Sequence, residues 1–461
     1  MSEDTMVTPA GVDAAVQAAL LDTFRTVAAS MPWYRTLLAE QGVTADAIRD
    51  ADDFSRRCPL LTKRNTFDRF TIAELAATTA LPQLASVLTS SGHGGRFSFG
   101  LNTREQEQAG ADAIDFALDD AFAVATRPTL ALNCLPMGVT FASRCMTVAT
   151  TSVREDMAVA LVEAFGDAYQ QVLIVADPLF LKRLVDYARG RGLDWRRHRL
   201  QVVVGEEVFG EHFRSYVAQR LGLDLTAPDG SWLMSSFGVG ELGLHLCYET
   251  RATVALRRLV RADPALANAL DCPTSAGNGL PMLFTYEPRR IHLEIESPAA
   301  DGYGRLTVSM LDARLPIPLL RYQTGDIARI LEPEAVAELL HDRRLALPAA
   351  LPGHLIALRG REREALPNGA HVTTYKDAVY ADHDVADRLT GAVRLTFDDD
   401  ACTMHVQLVA GTRDDRAIAA TLRDHLPAAA RPVRVEVWPY EQFPFGMTLD
   451  YERKFVGYQP R

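Results

Sequence analysis

The alternation of apolar and polar positions divides the chain into zones with different periods. Between residues 11 and 30, Val12, Val16, Ala19, Leu20, Phe24 and Val27 recur at helical spacing, which predicts an opening amphipathic helix. Met31-Pro32-Trp33-Tyr34-Arg35 breaks that pattern, and a second helix follows. Pro59-Leu60-Leu61-Thr62-Lys63-Arg64 reads as a turn with Thr62 as N-cap, a packing feature. Thr103 to Ala123 is helical, capped by Asn102 or Thr103, with Glu105 and Glu107 in the first turn where the helix dipole favours carboxylates.

Beyond that helix, short apolar runs alternate with helical stretches. Thr129-Leu130-Ala131-Leu132, Gln171-Val172-Leu173-Ile174-Val175 and Gln201-Val202-Val203-Val204 are apolar enough to be strands covered on both faces. Helices fall near residues 154–168, 178–190 and 210–222. Such alternation predicts an α/β layer with a parallel sheet. Ligands of these sheets sit beyond the carboxyl ends of strands, where Gly205-Glu206-Glu207 stands. Between 282 and 330 the period changes to two: Met282-Leu283-Phe284-Thr285-Tyr286, Ile291-His292-Leu293-Glu294-Ile295 and Arg305-Leu306-Thr307-Val308-Ser309-Met310 predict an antiparallel β module. After the Ala-, Pro- and Leu-rich stretch Leu345 to Gly353 the pattern restarts. A boundary near residue 358 leaves about a hundred residues, enough for a small α+β domain. There is no internal repeat.

Composition narrows the class. At 461 residues the chain is too long for one ordinary core, and 48% hydrophobic with 23% charged residues is the balance of a soluble globular protein. The formal charge of −11 argues against nucleic acid or an anionic membrane as partner, so an anionic ligand such as ATP needs a local cluster of Arg and Lys. Met1-Ser2-Glu3-Asp4-Thr5 is acidic where a signal peptide is basic, and no run of about 18 apolar residues occurs. Six cysteines without a CxxC pair fit reduced thiols, so a cytoplasmic location is expected.

Five stretches carry candidate chemistry. Leu88 to Gly100 holds four glycines among hydroxyl residues; Ser90, Ser91, Gly92, His93, Gly94 and Gly95 can cradle phosphate through bare N–H groups and hydroxyls, with Arg96 beside them. The spacing is neither a P-loop nor GxGxxG. In Ser235-Ser236-Phe237-Gly238-Val239-Gly240-Glu241-Leu242-Gly243, the Phe237 ring suits a purine face, the glycines admit a ligand to the backbone, and Glu241 can hold Mg²⁺ between phosphate oxygens. In Leu319 to Ile327, Asp326 on a tight glycine turn can accept hydrogen bonds from both hydroxyls of a ribose, with Arg321 and Arg329 adding positive charge. Leu358-Arg359-Gly360-Arg361-Glu362-Arg363-Glu364 lies at the expected domain junction, and Leu449 to Val456, with Lys454, near the C-terminus. Each alone has an ordinary reading as a turn or a solvated surface.

In this order and spacing the stretches resemble the adenylate-forming superfamily of acyl-CoA synthetases, adenylation domains and luciferases, and most nearly its phenylacetate-CoA ligase-like branch. Met31-Pro32-Trp33-Tyr34-Arg35 with Pro59-Leu60-Leu61-Thr62-Lys63 is similar to that branch's "PFYR … PFLTK". Gly205-Glu206-Glu207 is similar to "GGE", Phe237 to Glu241 to "YGxTE", and Arg321 to Asp326 to "RYRTGD". Gly360-Arg361 resembles the hinge motif, and Lys454 falls where the family has its catalytic lysine. The departures are specific: His93 and Gly94 replace two hydroxyl residues of the family loop Ser-Gly-Thr-Thr-Gly-Lys-Pro, Arg96 its Lys and Phe97 its Pro. Gly240 replaces Thr or Ser, Arg363 stands for the hinge Asp or Lys, and Arg453-Lys454 for Gly-Lys.

The resemblance implies a large N-terminal domain of layered sheets and helices (1–357) and a small mobile α+β lid (358–461) carrying the lysine. It implies an ATP- and Mg²⁺-dependent ligase that activates a carboxylic acid as an acyl-adenylate, releasing pyrophosphate, and passes it to an acceptor, CoA in the first instance. By that resemblance Lys454 and Arg361 are catalytic, Glu241 holds the metal, and Ser90 to Gly95 with Arg96 take the phosphates. Asp326 takes the ribose, and Gly205, Glu206, Ser236, Phe237 and Gly238 frame the adenine. An acid pocket drawn from Asn133 to Phe141 and Met234 to Ser236 suits a compact aromatic acid. Two rivals stay open: a non-CoA acceptor (an amine, a carrier-protein thiol, or a nitrogen nucleophile such as nitrite), and a weakened nucleotide-binding regulator. So do a zinc site from His245, Cys247, Cys272 and His292, and a monomeric or homodimeric state. The ligase reading requires Asp326 and Glu241 to share a cavity within reach of Lys454.

Overall fold

Three strands buried along their whole length form the heart of the parallel part of the main sheet. The computed structural model describes residues 6–9, 13–89, 97–227, 230–272, 277–398, 401–413, 416–446 and 451–459. In chain order the strands are β1 (Met6–Val7), β2 (Leu84–Thr89), β3 (Phe99–Thr103), β4 (Thr129–Cys134), β5 (Thr147–Thr150), β6 (Gln171–Ala176), β7 (Leu200–Val204), β8 (Leu233–Val239) and β9 (Gly243–Tyr248). They continue as β10 (Met282–Tyr286), β11 (Ile291–Glu296), β12 (Gly304–Met310), β13 (Tyr322–Leu331), β14 (Leu355–Arg361), β15 (Leu389–Asp398), β16 (Ala401–Leu408) and β17 (Val433–Trp438). Every residue of β4, β6 and β7 is buried, as strands sandwiched between helices require.

Twelve strands join in one sheet, ordered β1-β11-β12-β13-β14-β10-β9-β8-β7-β6-β4-β5. The run from β5 to β8 is parallel, and from β8 to β1 every pairing is antiparallel. The crossover helices are Glu155–Phe165, Pro178–Arg191 and Glu211–Leu221. Local chemistry sets the second of these: Asp177 accepts hydrogen bonds from the Leu179 and Phe180 N–H groups, Pro178 opens the first turn, and Gly192 ends the helix at φ 75°. The expected antiparallel module is present, except that β10 leaves it to lie between β14 and β9. β8 and β9 lack a clean alternation because their pairing with β7 and β10 comes from residues far away in the chain.

β14 runs through residue 358, so the sheet continues to Arg361 before the chain departs. The C-terminal part is a three-stranded sheet, β15-β16-β17, with the helix Arg416–His425 against it. Beside the parallel sheet lies a buried ionic network. Arg214 binds Glu211 at 2.9 Å and Glu249 at 2.7 Å and donates to the Leu233 carbonyl, while Arg257 binds Glu211 at 2.6 Å. No described helix is long and apolar enough to cross a membrane.

Candidate active site

The carboxyl ends of the parallel strands converge with the β8–β9 turn and the β13–β14 pair on one cleft. Two compartments make it up. The larger, about 410 Å³, has an apolar end lined by Leu118, Phe122, Val139, Phe141, Met234 and Tyr248, and a polar end where Lys63, Glu241, Tyr322, Arg361 and Lys454 meet. The smaller, about 270 Å³, is lined by Phe237, Phe284, Asp326, Gly360 and Tyr458 among others. Glu206, Ser235, Ser236, Gly238, Arg361, Arg363 and Lys454 line both and form the seam.

Sheet register builds that seam. Asp326 on β13 stands directly opposite Arg361 on β14, placing the guanidinium 4.0 Å from the carboxylate. Asp326 is almost wholly buried and its Oδ2 has no hydrogen-bond partner among the described residues. Burial pushes its carboxyl above the usual range, and Arg361 offsets only part of that. At the end of β7, Glu206 adopts a left-handed φ of 71° and pairs with Lys454 Nζ at 2.7 Å, while its carbonyl accepts from the same ammonium at 3.2 Å. Burial opposes the charge of neighbouring Glu207, but Lys376 at 2.7 Å outweighs it and holds the carboxyl below its ordinary value. Desolvation, reinforced by the nearby charges of Glu207 and Glu206, pushes the half-buried Asp177 carboxyl up to about 7. Gly238 must be glycine, because a Cβ there would lie 2.4 Å from the Leu244 carbonyl oxygen.

Glu241 faces the larger compartment. The hydroxyls of Ser98 and Tyr322 both donate to its Oε1 at 2.7 Å, which orients the carboxylate. A single oriented carboxylate suits Mg²⁺, which is commonly held by one or two carboxylates together with substrate phosphates. Glu241 lines the larger compartment and Asp326 the smaller, so the single shared cavity expected from the sequence is not found; the two compartments adjoin, with Arg361 and Lys454 in the walls of both.

Of the expected residues, Gly205, Glu206, Ser236, Phe237, Gly238, Glu241, Asp326, Arg361 and Lys454 all line this cleft. Ser90, Ser91, Gly92, His93, Gly94, Gly95 and Arg96 lie outside the described residues. The acid-pocket stretches also arrive: Leu135, Met137, Val139, Phe141, Met234 and Ser235 form wall, while Asn133 folds it by donating to the Val139 carbonyl at 2.9 Å. Two expectations need correction. Arg321 does not add charge to the site; it is buried at φ 53°, paired with Glu294 at 3.2 Å and donating to the Cys58 carbonyl. Arg329 is likewise taken by Asp271 at 3.1 Å.

The four residues weighed for zinc are not gathered: among the described residues no group of three His, Cys, Asp or Glu can hold a metal ion. His245 instead walls the larger compartment, bonded through Nδ1 to Ser236 Oγ at 3.0 Å and stacked on Tyr248. Burial, with Arg290 nearby, pushes it down to about 3, so the ring is neutral. Sequence reasoning missed Lys63, Ser98, Tyr322 and the inward face of the helix Arg104–Phe122. Each of the three side chains lay within a stretch already singled out, Lys63 at the end of the Leu-Thr-Lys turn, Ser98 in Leu88 to Gly100 and Tyr322 in Arg321 to Asp326, but none was assigned a role there.

No protein-family profile and no curated protein matches the chain. Solved structures do. A 2-hydroxyisobutyryl-CoA ligase in its postadenylation state superposes with a TM-score of 0.67 at 13% identity, over 99% of this chain and 90% of that one. The chain has the CoA-ligase fold. Against the same ligase with 2-HIB-AMP and CoA in its thioesterification state the TM-score is 0.55 at 14% identity, over 98% and 90% of the two chains. The chain thus superposes more closely on the postadenylation form of that ligase than on its thioesterification form.

Proposed function

We propose that the chain is an ATP-dependent ligase that activates a carboxylic acid through an acyl-adenylate. The observation that carries this reading is the two-compartment cleft, an apolar chamber joined to an aromatic and carboxylate-bearing chamber at a seam holding Lys454 and Arg361. A nucleoside fits the smaller chamber: Phe237 beside Phe284 offers ring surface, and Asp326 offers an unpaired buried oxygen to ribose hydroxyls. An acid fits the larger, and its carboxylate would meet the α-phosphorus at the seam.

In the first step the acid's carboxylate oxygen bonds to the α-phosphorus and the bond to pyrophosphate breaks. Two anions must approach, so Lys454 and Arg361 act chiefly by neutralising charge and fixing geometry. Glu241 would hold a Mg²⁺ ion, which would add to the neutralisation of the phosphates. The loop Ser90 to Gly95 with Arg96 takes the outer phosphates in this reading. The part of the chain after Arg361, where β14 ends, acts as a lid that turns about Arg363 before an acceptor displaces AMP. The rings of Phe122, Phe141 and Tyr248 and the neutral His245 favour a compact aromatic acid, with CoA as the first acceptor to test. All six cysteines are free, in keeping with a cytoplasmic enzyme.

A second reading keeps the adenylate and changes the acceptor to an amine, a carrier-protein thiol or a nitrogen nucleophile such as nitrite. The altered loop, with His93, Gly94, Arg96 and Phe97, and the altered hinge, with Arg363, favour it. Acid-dependent exchange of labelled pyrophosphate into ATP, across aryl and alkyl acids, tests activation: exchange with compact aryl acids supports it, and none with any acid refutes it. AMP release with and without CoA then separates the acceptors.

A further inference from the structure

The C-terminal segment touches the strand ends at more places than its lysine. Tyr451 packs edge-on against Phe180, at the start of the helix after β6, with ring centroids 5.9 Å apart. Glu452 accepts two hydrogen bonds: from the Met137 backbone N–H at 2.7 Å through Oε2, and from Ser152 Oγ at 2.5 Å through Oε1. Lys454, two residues on, holds Glu206. One short stretch thus spans the carboxyl ends of β5, β4, β6 and β7.

The three residues gripped by Glu452 and Lys454 share a further property. Met137, Ser152 and Glu206 have φ of 59°, 50° and 71°, a region that side chains with a Cβ rarely occupy. Left alone, such residues relax toward ordinary backbone angles, so something must hold them. At Met137 the carboxylate of Glu452 takes the backbone N–H itself. Met137 is also wall of the acid chamber, together with Leu135, Val139 and Phe141.

We infer that Glu452 is a positioning residue that couples the wall of the acid chamber to the placement of Lys454. Docking of the segment fixes Met137 and so shapes the chamber; an acid that fills the chamber stabilises the same wall and favours docking. The two effects are reciprocal, as linkage requires. When the segment leaves, the wall loses its carboxylate partner. This inference rests on the ligase reading for its consequence in catalysis, but the contact itself can be tested without it.

The test is backbone hydrogen exchange at Met137 in the full chain. Glu452 is the acceptor of that N–H, and a hydrogen bond to a charged group is worth about 1.5–3 kcal/mol, roughly tenfold to a hundredfold in an equilibrium. Glu452→Ala should therefore speed exchange at Met137 by about tenfold or more. Glu452→Gln, which keeps one acceptor oxygen, replaces the other by an amide NH2 and loses the charge, should fall between, and Ser152→Ala should give a smaller increase. Unchanged exchange at Met137 in Glu452→Ala overturns the inference whatever the activity. For catalysis, Glu452→Ala should raise the acid KM and slow pyrophosphate exchange by roughly tenfold, with Glu452→Gln partly restoring both. Turnover of supplied acyl-adenylate should not change; equal loss in both half-reactions would also overturn the coupling. Should the wild-type protein show no exchange with any acid, the ligase reading falls, and the Met137 amide still decides whether Glu452 holds the wall.

Discussion

Two clusters of charge lie close together in this molecule and are built on opposite principles. In the network of Arg214, Glu211, Glu249 and Arg257, every guanidinium meets carboxylates or carbonyls at hydrogen-bond distance, and Glu249 also accepts from the Ser235 backbone at 2.8 Å. At the seam the partnering is incomplete. Asp326 is buried with one oxygen unpaired, and Arg361 stands 4.0 Å away. A buried charge that is fully satisfied holds structure; one left part-satisfied at a cavity wall costs stability and is available to a ligand.

Removing a charge from each cluster should separate the two roles. Arg214→Leu strips two buried carboxylates of a partner and should destabilise the fold by about 3–5 kcal/mol in urea unfolding, the range for breaking a buried pair. An unchanged unfolding midpoint would show that the network carries no structural weight. Lys454→Ala, which frees the half-buried Glu206 carboxylate of its partner, should lower the midpoint less than Arg214→Leu while lowering acid-dependent pyrophosphate exchange by roughly 10²–10³-fold, the scale for losing one transition-state charge partner. Thiolysis of supplied acyl-adenylate should survive in that variant, and equal loss of both steps would move Lys454 out of its assigned role.

Asp326→Asn sharpens the contrast, because stability and function should move in opposite directions. Nucleotide affinity should fall roughly tenfold, read by calorimetry. Because burial raises the carboxyl of Asp326 in the folded state, its contribution to stability is fully present below the unfolded value near 3.8 and is lost as pH rises through the folded one. The Asn variant should therefore unfold at higher denaturant than the parent at neutral pH, with the gain vanishing in acid. Smallest of all, Arg329→Ala removes a partly exposed pair with Asp271 and should cost no more than about 1 kcal/mol, with unaltered pyrophosphate exchange.

The same contrast marks what could be read in the sequence. Periods of two and of about 3.6 report burial, so β4, β6 and β7, the crossover helices and the antiparallel strands were legible from local pattern. Motif order located Phe237, Glu241, Asp326, Arg361 and Lys454, all of which line the cleft. Partners joined only by the fold left no local trace. Ser98 and Glu241 are 143 residues apart, and Glu452 lies 315 from Met137. Arg321 misleads for a related reason: sequence shows that a charge is present, whereas the left-handed turn that buries it against Glu294 belongs to the fold.

The central claim is that the two compartments are one site for an acyl-adenylate, joined where Lys454 and Arg361 stand. Calorimetric binding of a hydrolysis-resistant aryl-adenylate analogue, measured beside AMP and the free acid, tests it most directly. The account predicts that the analogue binds at least a hundredfold more tightly than either part alone, with that advantage reduced in Lys454→Ala; linking two adjacent sites gives gains on the order of 10²–10⁴. An analogue that binds no better than AMP would mean that the chambers do not serve one molecule, and would contradict the account.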